Sequence, residues 1–244
     1  MDWASLAGLA IALGGLALGQ TIEGGRLHSL LQPAAFIVVV LGTLGAVLLQ
    51  TELKPFFKGL RMLYRVFVLP DDDRQRLAQR INQWSQYARK EGVFALEQFI
   101  RSEKEPFVTK GLQLVIDGTP PDRLREICAV DMYYYEMQER EAAKIWSAAG
   151  GYAPTVGILG AVLGLIHVME NLSDPAKIGS GIAVAFVATI YGVALANLIL
   201  LPIATKLKHH IQVEMSRREM LLNAWVSIAR GDHPKLVNER LEAY

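Results

Sequence analysis

The stretch IWSAAGGYAPTVGILGAVLGLIHVM, residues 145–169, contains no Asp, Glu, Lys or Arg. Three further stretches share that property: Trp3 to Ile22, Leu27 to Thr51 and Ile178 to Thr205. Each reaches the roughly 20 residues that carry an α-helix across the hydrocarbon core of a bilayer. Buried helices of soluble proteins rarely repeat at that length, so the pattern predicts an all-α membrane protein with four spans. We place the spans at residues 3–22, 30–52, 147–169 and 181–205. A helical domain at 53–146 lies between spans two and three, a short loop occupies 170–180, and a tail runs over 206–244.

Overall charge is nearly balanced, with 25 Lys plus Arg against 24 Asp plus Glu, which points away from nucleic acid and polyanionic partners. The distribution carries more. Sixteen Lys and Arg lie between Lys54 and Lys144 and seven between Lys206 and Arg240, leaving Arg26 and Lys177 in the two short connections. The basic side faces the cytoplasm, so both termini are expected inside. Met1-Asp2-Trp3 has no basic n-region and no small-residue cleavage site stands out, so the first span reads as a retained helix. The lone Cys128 supports neither an intrachain disulfide nor a cysteine-based metal site.

Span one places Ala4, Gly8, Ala12, Gly15 and Gly19 on one face, inviting close approach of another helix there. Span two is richer in bulky aliphatics and is expected to face lipid. In the inner domain, Leu69-Pro70-Asp71-Asp72-Asp73 supplies a break with N-capping carboxylates. Leu77, Ile81, Trp84 and Ala88 then recur at helical spacing, and Gly92, Pro106 and the Asp117-to-Asp122 run punctuate the rest of the domain. Neither Gly nor Pro occurs from Asp122 to Ala149, so one helix is predicted to run from the cytoplasm into span three. About 40 Å of it would lie outside the hydrocarbon. Span four is expected to continue likewise, with Leu207, Ile211, Met215, Leu222, Trp225 and Ile228 as a packing stripe that Gly231 and Pro234 end. Spans three and four thus both extend into the cytoplasm.

No Asp, Glu, Lys or Arg occurs in the interior of any span, although ion-moving proteins normally place an ionisable group at mid-membrane. Any carboxylate used for ion transfer therefore comes from elsewhere. His167 near the outer end of span three reads as a hydrogen-bonding group. Thr189 shares a face with Ala185, Gly192 and Ala196, and Gly157, Ala161 and Gly164 make a similar face on span three. Such faces suit either packing between spans three and four or a groove for a partner helix, and pattern does not separate the two. Pro154 and Pro202 lie near the cytoplasmic ends of their spans, where a missing N–H can kink a helix; such a pair suits either hinge points or ordinary span ends, and pattern does not separate the two. No Walker loop, zinc constellation, nucleophile elbow or dinucleotide fingerprint occurs, so the chain is not expected to be an enzyme or to carry a cofactor or metal.

Two spans, a charged insertion, two more spans and a basic tail resemble the MotA/PomA/MotC family of flagellar stator subunits over nearly the whole chain. Arg89-Lys-Glu-Gly92-Val-Phe94-Ala-Leu96-Glu97 is similar to the family's R-x-x-G-x-F-x-L-E segment. Ala153-Pro154-Thr155-Val156-Gly157-Ile158 resembles its A-P-x-x-G-[IM] opening of span three. Tyr191-Gly192 with Pro202 resembles its span four, and Gly231-Asp232-His233-Pro234 its G-x-N-P tail with His for Asn. The resemblance implies that Arg89 and Glu97 face the rotor protein FliG and that Pro154 and Pro202 couple ion passage to movement. It also implies that Thr189 lies beside a channel, with Gly157, Ala161, Gly164, Ala185 and Gly192 as lining. The ion-binding Asp would belong to a single-span MotB-type partner inside a homo-oligomeric ring in the bacterial inner membrane. Sodium-type relatives carry threonines where this chain has Ala161 and Ala188, so protons are expected as the transported ion. A TolQ/ExbB-type energiser is the nearest alternative, but it typically has three spans; a transporter would call for inverted repeats or intramembrane charge.

Overall fold

The computed structural model describes residues 2–68 and 74–241, with no side-chain detail for residues 175–177 and 241. The 69–73 break with its expected capping carboxylates lies outside the described residues. All regular structure among the described residues is helical. Among the described residues, four helices are long and apolar enough to span a bilayer: Trp3–Ile22, Leu27–Gln50, Pro121–Glu170 and Ile178–Arg230. The chain divides into two compact units. One comprises Met1–Leu69 and Glu139–His209, the other Pro70–Gln138 and His210–Tyr244.

The first unit holds the apolar helices. Helix α1 (Trp3–Ile22) is capped by Asp2, whose carboxylate accepts the backbone N–H groups of Ala4 and Ser5. Asp2 also pairs with Lys206, which brings the start of α1 to the end of the fourth span. Helix α2 (Pro33–Gln50) opens on proline, whose absent N–H costs nothing at a first helical turn. It buries one stripe only, Ala35, Val39, Thr43 and Val47. Ala35 and Val39 pack against Val187 and Ala188 of α8 (Pro175–Ala194). Span two thus packs on span four along that stripe and also meets span three, where a Cβ on Gly42 would lie 2.7 Å from Val156, and this chain leaves most of its remaining surface uncovered. On span one, a Cβ on Gly8, Gly15 or Gly19 would meet nothing within 4 Å, so among the described residues of this chain those glycines stay open to a neighbour. Spacing identifies a smooth face and cannot say whether a neighbour fills it.

A short amphipathic helix, α3 (Leu53–Arg61), follows α2 and is prolonged by a 3₁₀ turn over Met62–Phe67. It docks on α7 (Pro121–Glu170), where the Trp146 Nε1–H donates to the Gly59 carbonyl at 2.9 Å. Buried Glu139 accepts from Lys58 at 3.0 Å and from Arg65 at 2.6 Å.

The second unit is a soluble-type core. Helix α4 (Arg74–Glu91) contributes the predicted stripe Leu77, Ile81 and Trp84. Helices α5 (Glu97–Ile100) and α6 (Pro106–Ile116) follow. Leu124 and Cys128 of α7 join Leu222, Trp225 and Ile228 of α9 (Leu201–Arg230) in the same cluster. Gly111 is required there: a Cβ would sit 2.3 Å from the Trp225 ring. Arg217 forks onto Glu105, one arm at 2.9 Å, and the Arg218 guanidinium lies 3.5 Å from the Tyr135 ring centre. The Glu105 hydrogen bonds raise the Arg217 pKa against the opposing effect of burial. Gly231, at φ +74°, stops α9 as its position predicted, and α10 (Pro234–Leu241) closes the unit.

Candidate functional site

Small residues let α7 and α8 touch backbone to backbone. A Cβ on Gly157 would lie 2.8 Å from the Ala188 carbonyl oxygen and 3.0 Å from Gly192 Cα. One on Gly192 would lie 2.5 Å from the Ala153 carbonyl oxygen, and one on Gly164 2.9 Å from Ala185 N. Gly157, Gly164, Ala185 and Gly192 are buried in this seam, whereas Ala161 and Thr189 are half-buried at its margin. The two small-residue faces thus meet each other within one chain. The Thr189 hydroxyl donates to the Ala185 carbonyl at 3.3 Å, leaving its oxygen lone pairs available as acceptors.

Beside the seam both helices leave apolar side chains uncovered. Ile158, Val162 and Met169 are exposed on α7, and Phe186, Ile190 and Val193 on α8. No Asp, Glu, Lys or Arg interrupts residues 145–169 or 178–205, and no metal-holding group of His, Cys, Asp and Glu exists among the described residues. Threonine hydroxyls and backbone carbonyls can coordinate an ion in passing but cannot take up and release a proton near neutral pH. The arrangement supplies walls and lacks an acid.

The two prolines sit in those walls, and one of them adjoins a change of backbone geometry. Pro154 is accommodated inside continuous α7. Its ring faces the carbonyl four residues back, and that position is Gly150, which has no side chain to obstruct relaxation. Pro202 follows a π-helical segment, Leu195–Leu200, in which the Leu201 N–H reaches back five residues to the Ala196 carbonyl. The wide turn absorbs the mismatch created by the missing proline N–H. A Cβ on Gly150 would lie 2.6 Å from the Leu201 side chain, so the turn before Pro154 adjoins the end of the π segment. Periodicity alone does not signal the π segment.

Tyr191 has a role that sequence reading missed. Its hydroxyl donates to the Leu30 carbonyl and accepts from the Gln32 N–H at 3.4 Å, tying α8 to the turn before α2. A half-buried phenol must find a partner, but its spacing does not say which. His167 lines a cavity of about 350 Å³ between α2, α7 and α8 with Ser180 and small apolar residues.

The charged candidates lie in the second unit. Helix α4 ends at Glu91, and Gly92 turns the chain at φ +87°. Buried Leu96 anchors the next turn, which leaves Phe94 75% exposed. Arg89 is exposed and donates to the Gly231 carbonyl at 3.1 Å, while Glu97 is exposed and pairs loosely with Arg101 at 3.5 Å. No bond joins Arg89 to Glu97 among the described residues. They share a short, well-anchored segment that offers charges of both signs to solvent, suited to a transient electrostatic contact.

Comparison with known proteins agrees with this arrangement. Residues 100–220 match the model of the MotA/TolQ/ExbB proton channel family. Motility protein A of Bacillus subtilis is 32% identical over all of this chain and 91% of its own length. Chemotaxis protein PomA of Vibrio alginolyticus is 29% identical over 100% of this chain and 95% of its own. The chain superposes on the flagellar MotAB stator complex structure from Bacillus subtilis with TM-score 0.88 and 32% identity, covering 98% of this chain and 94% of that one. The C. jejuni MotAB structure gives TM-score 0.94 at 24% identity, covering 100% and 95%, a likeness of fold.

Proposed function

Because the chain belongs to the motility protein A family, within the MotA/TolQ/ExbB proton channel family, we propose that it is a flagellar motor stator subunit. With a single-span MotB-type partner it forms an ion channel and converts ion flow into torque on the rotor. The observation that carries this reading is the divided site. Four apolar spans hold no acid, yet α7 and α8 present uncovered apolar faces beside a half-buried threonine. An Asp on a partner helix completes the chemistry: it takes up an ion in a low-dielectric surround and releases it when the surround changes. Several copies of this chain ring that partner. The spans lie in the bacterial inner membrane with both termini in the cytoplasm, in keeping with the side that carries most Lys and Arg.

Pro154, Pro202 and the π segment are the points at which ion binding bends α7 and α9, two helices that contribute to both units. Arg89 and Glu97 pass the movement to the rotor protein FliG. The ion is the proton: alanines at 161 and 188 withhold the hydroxyls that would help to coordinate sodium.

In a strain with this stator alone, Arg89→Glu abolishes rotation while co-purification with the partner persists. Arg89→Ala loses the same bond to Gly231, so a deeper defect in Arg89→Glu reports charge at the contact. Unaltered torque in Arg89→Glu overturns the rotor-contact role. Rotation continues in sodium-free medium; its loss there overturns the proton assignment.

A further inference from the structure

From residue 52 to 68 the chain carries Lys54, Lys58, Arg61 and Arg65 against one acid, Glu52. Helix α3 and its 3₁₀ extension sort these residues into two faces. Inward, Phe56, Met62 and Val66 are buried, and Lys58 and Arg65 are committed to buried Glu139. Outward, Leu53 is 65%, Phe57 59% and Tyr64 59% exposed. Lys54 and Arg61 are exposed on that side and have no hydrogen bond or ion pair among the described residues.

Both ends of the segment are held at one membrane border. Two residues, Thr51 and Glu52, separate it from the end of α2 at Gln50. At its other end the Phe67 carbonyl accepts the N–H of Asp2 at 2.9 Å, and Asp2 is the cap that starts α1. A helical segment of about 25 Å pinned at both ends to that border runs along it. Aromatic side chains at such a depth sit among headgroups, and free cations there meet lipid phosphates.

We propose that the outer face of residues 53–68 is a binding surface for anionic phospholipid, with Lys54 and Arg61 on the headgroup and Leu53, Phe57 and Tyr64 in the acyl boundary. The charge complements an anionic leaflet, and the wedge of exposed aromatics fits a lipid surface. The four cations divide into two pairs, of which one holds α3 to α7 through Glu139 and the other is left for lipid. Each free cation near an anionic surface strengthens binding by roughly fivefold, so the free pair supplies a preference of about 25-fold. Assignment to the cytoplasmic leaflet rests on the topology proposed above; binding itself does not.

The test uses the full chain with its partner in nanodiscs of equal phosphatidylglycerol and phosphatidylcholine, which present both lipids on both faces whatever the topology. Lipid retained after detergent extraction is counted by native mass spectrometry. Phosphatidylglycerol is retained preferentially, Lys54→Gln/Arg61→Gln lowers the preference by about 25-fold, and Lys54→Arg/Arg61→Lys keeps it. Arg89→Gln, in the other unit, leaves it unchanged. Equal retention of the two lipids by the unsubstituted protein, or an unchanged preference in the double Gln variant, overturns the proposal. A face covered by a second copy of this chain would give that equal retention.

Discussion

Gly192→Ala probes the contact on which the membrane unit is built. The added Cβ would lie 2.5 Å from the Ala153 carbonyl oxygen and 2.9 Å from Gly157 Cα, whereas ordinary contact begins at 3.4 Å. Both obstacles are backbone atoms, so no rotamer relieves the clash and α7 and α8 must part by about 0.9 Å at that crossing. One surplus methyl in a packed interior costs about 1–3 kcal/mol. Replacing helical glycine by alanine returns about 0.8–1 kcal/mol through propensity, which would mask the smaller end of that range. Gly45→Ala supplies the reference: it receives the same propensity gain, and its Cβ meets nothing within 4 Å. The difference between the two variants isolates the clash. For a chain of this size 1 kcal/mol moves the melting midpoint by roughly 2–4 °C, so Gly192→Ala melts at least about 2 °C below Gly45→Ala in nanodiscs, as monitored by tryptophan fluorescence. Coincident midpoints would refute the close seam. A seam that tolerates no methyl also predicts that Gly192→Ala slows rotation, because the walls lose their register.

Two predictions concern the second unit. Burial works to raise the Glu103 pKa, but the backbone N–H groups of Glu105 and Lys104 and the Arg80 guanidinium hold the carboxyl below its ordinary 4.5. A lowered folded-state pKa contributes stability that is complete above about pH 4.5 and is lost as pH falls through the lowered value. Urea melts from pH 6 to 3 should therefore show a shallower acid decline for Glu103→Gln than for the unsubstituted chain, and parallel profiles would count against it. Burial, reinforced by the charge of Asp131 and opposed by Lys110, pushes the Cys128 thiol up to about 11. Cys128 should resist maleimide in the native protein at pH 7 and label fully in denaturant; rapid native labelling would place it at the surface.

Several parts of the architecture are legible in local pattern. Leu77, Ile81 and Trp84 at helical spacing mark the buried side of α4, and Leu222, Trp225 and Ile228 that of α9. Pro121 and Gly231 mark helix ends because a missing donor and a left-handed turn act on their own residues. The candidate site was legible in composition and not in pairing. Gly157 and Gly164 were recognisable as a smooth face, yet the partner of that face is a stretch of α8 in the same chain. Ala4, Gly8 and Gly15 make an equally smooth face, whose glycines this chain leaves open. The Glu139 cluster gave no signal, since its Arg65 partner is 74 positions away.

Membrane residence, the number of spans and the missing acid are properties of the linear chain, because the free energy of placing a helix in hydrocarbon sums over its own consecutive residues. Which small-residue face closes on which, where the π turn absorbs Pro202, and which of the four cations near α3 remain free were decided by tertiary structure. Those outcomes depend on distances of a few ångströms between segments far apart in sequence, where steric exclusion and charge pairing act on neighbours in space.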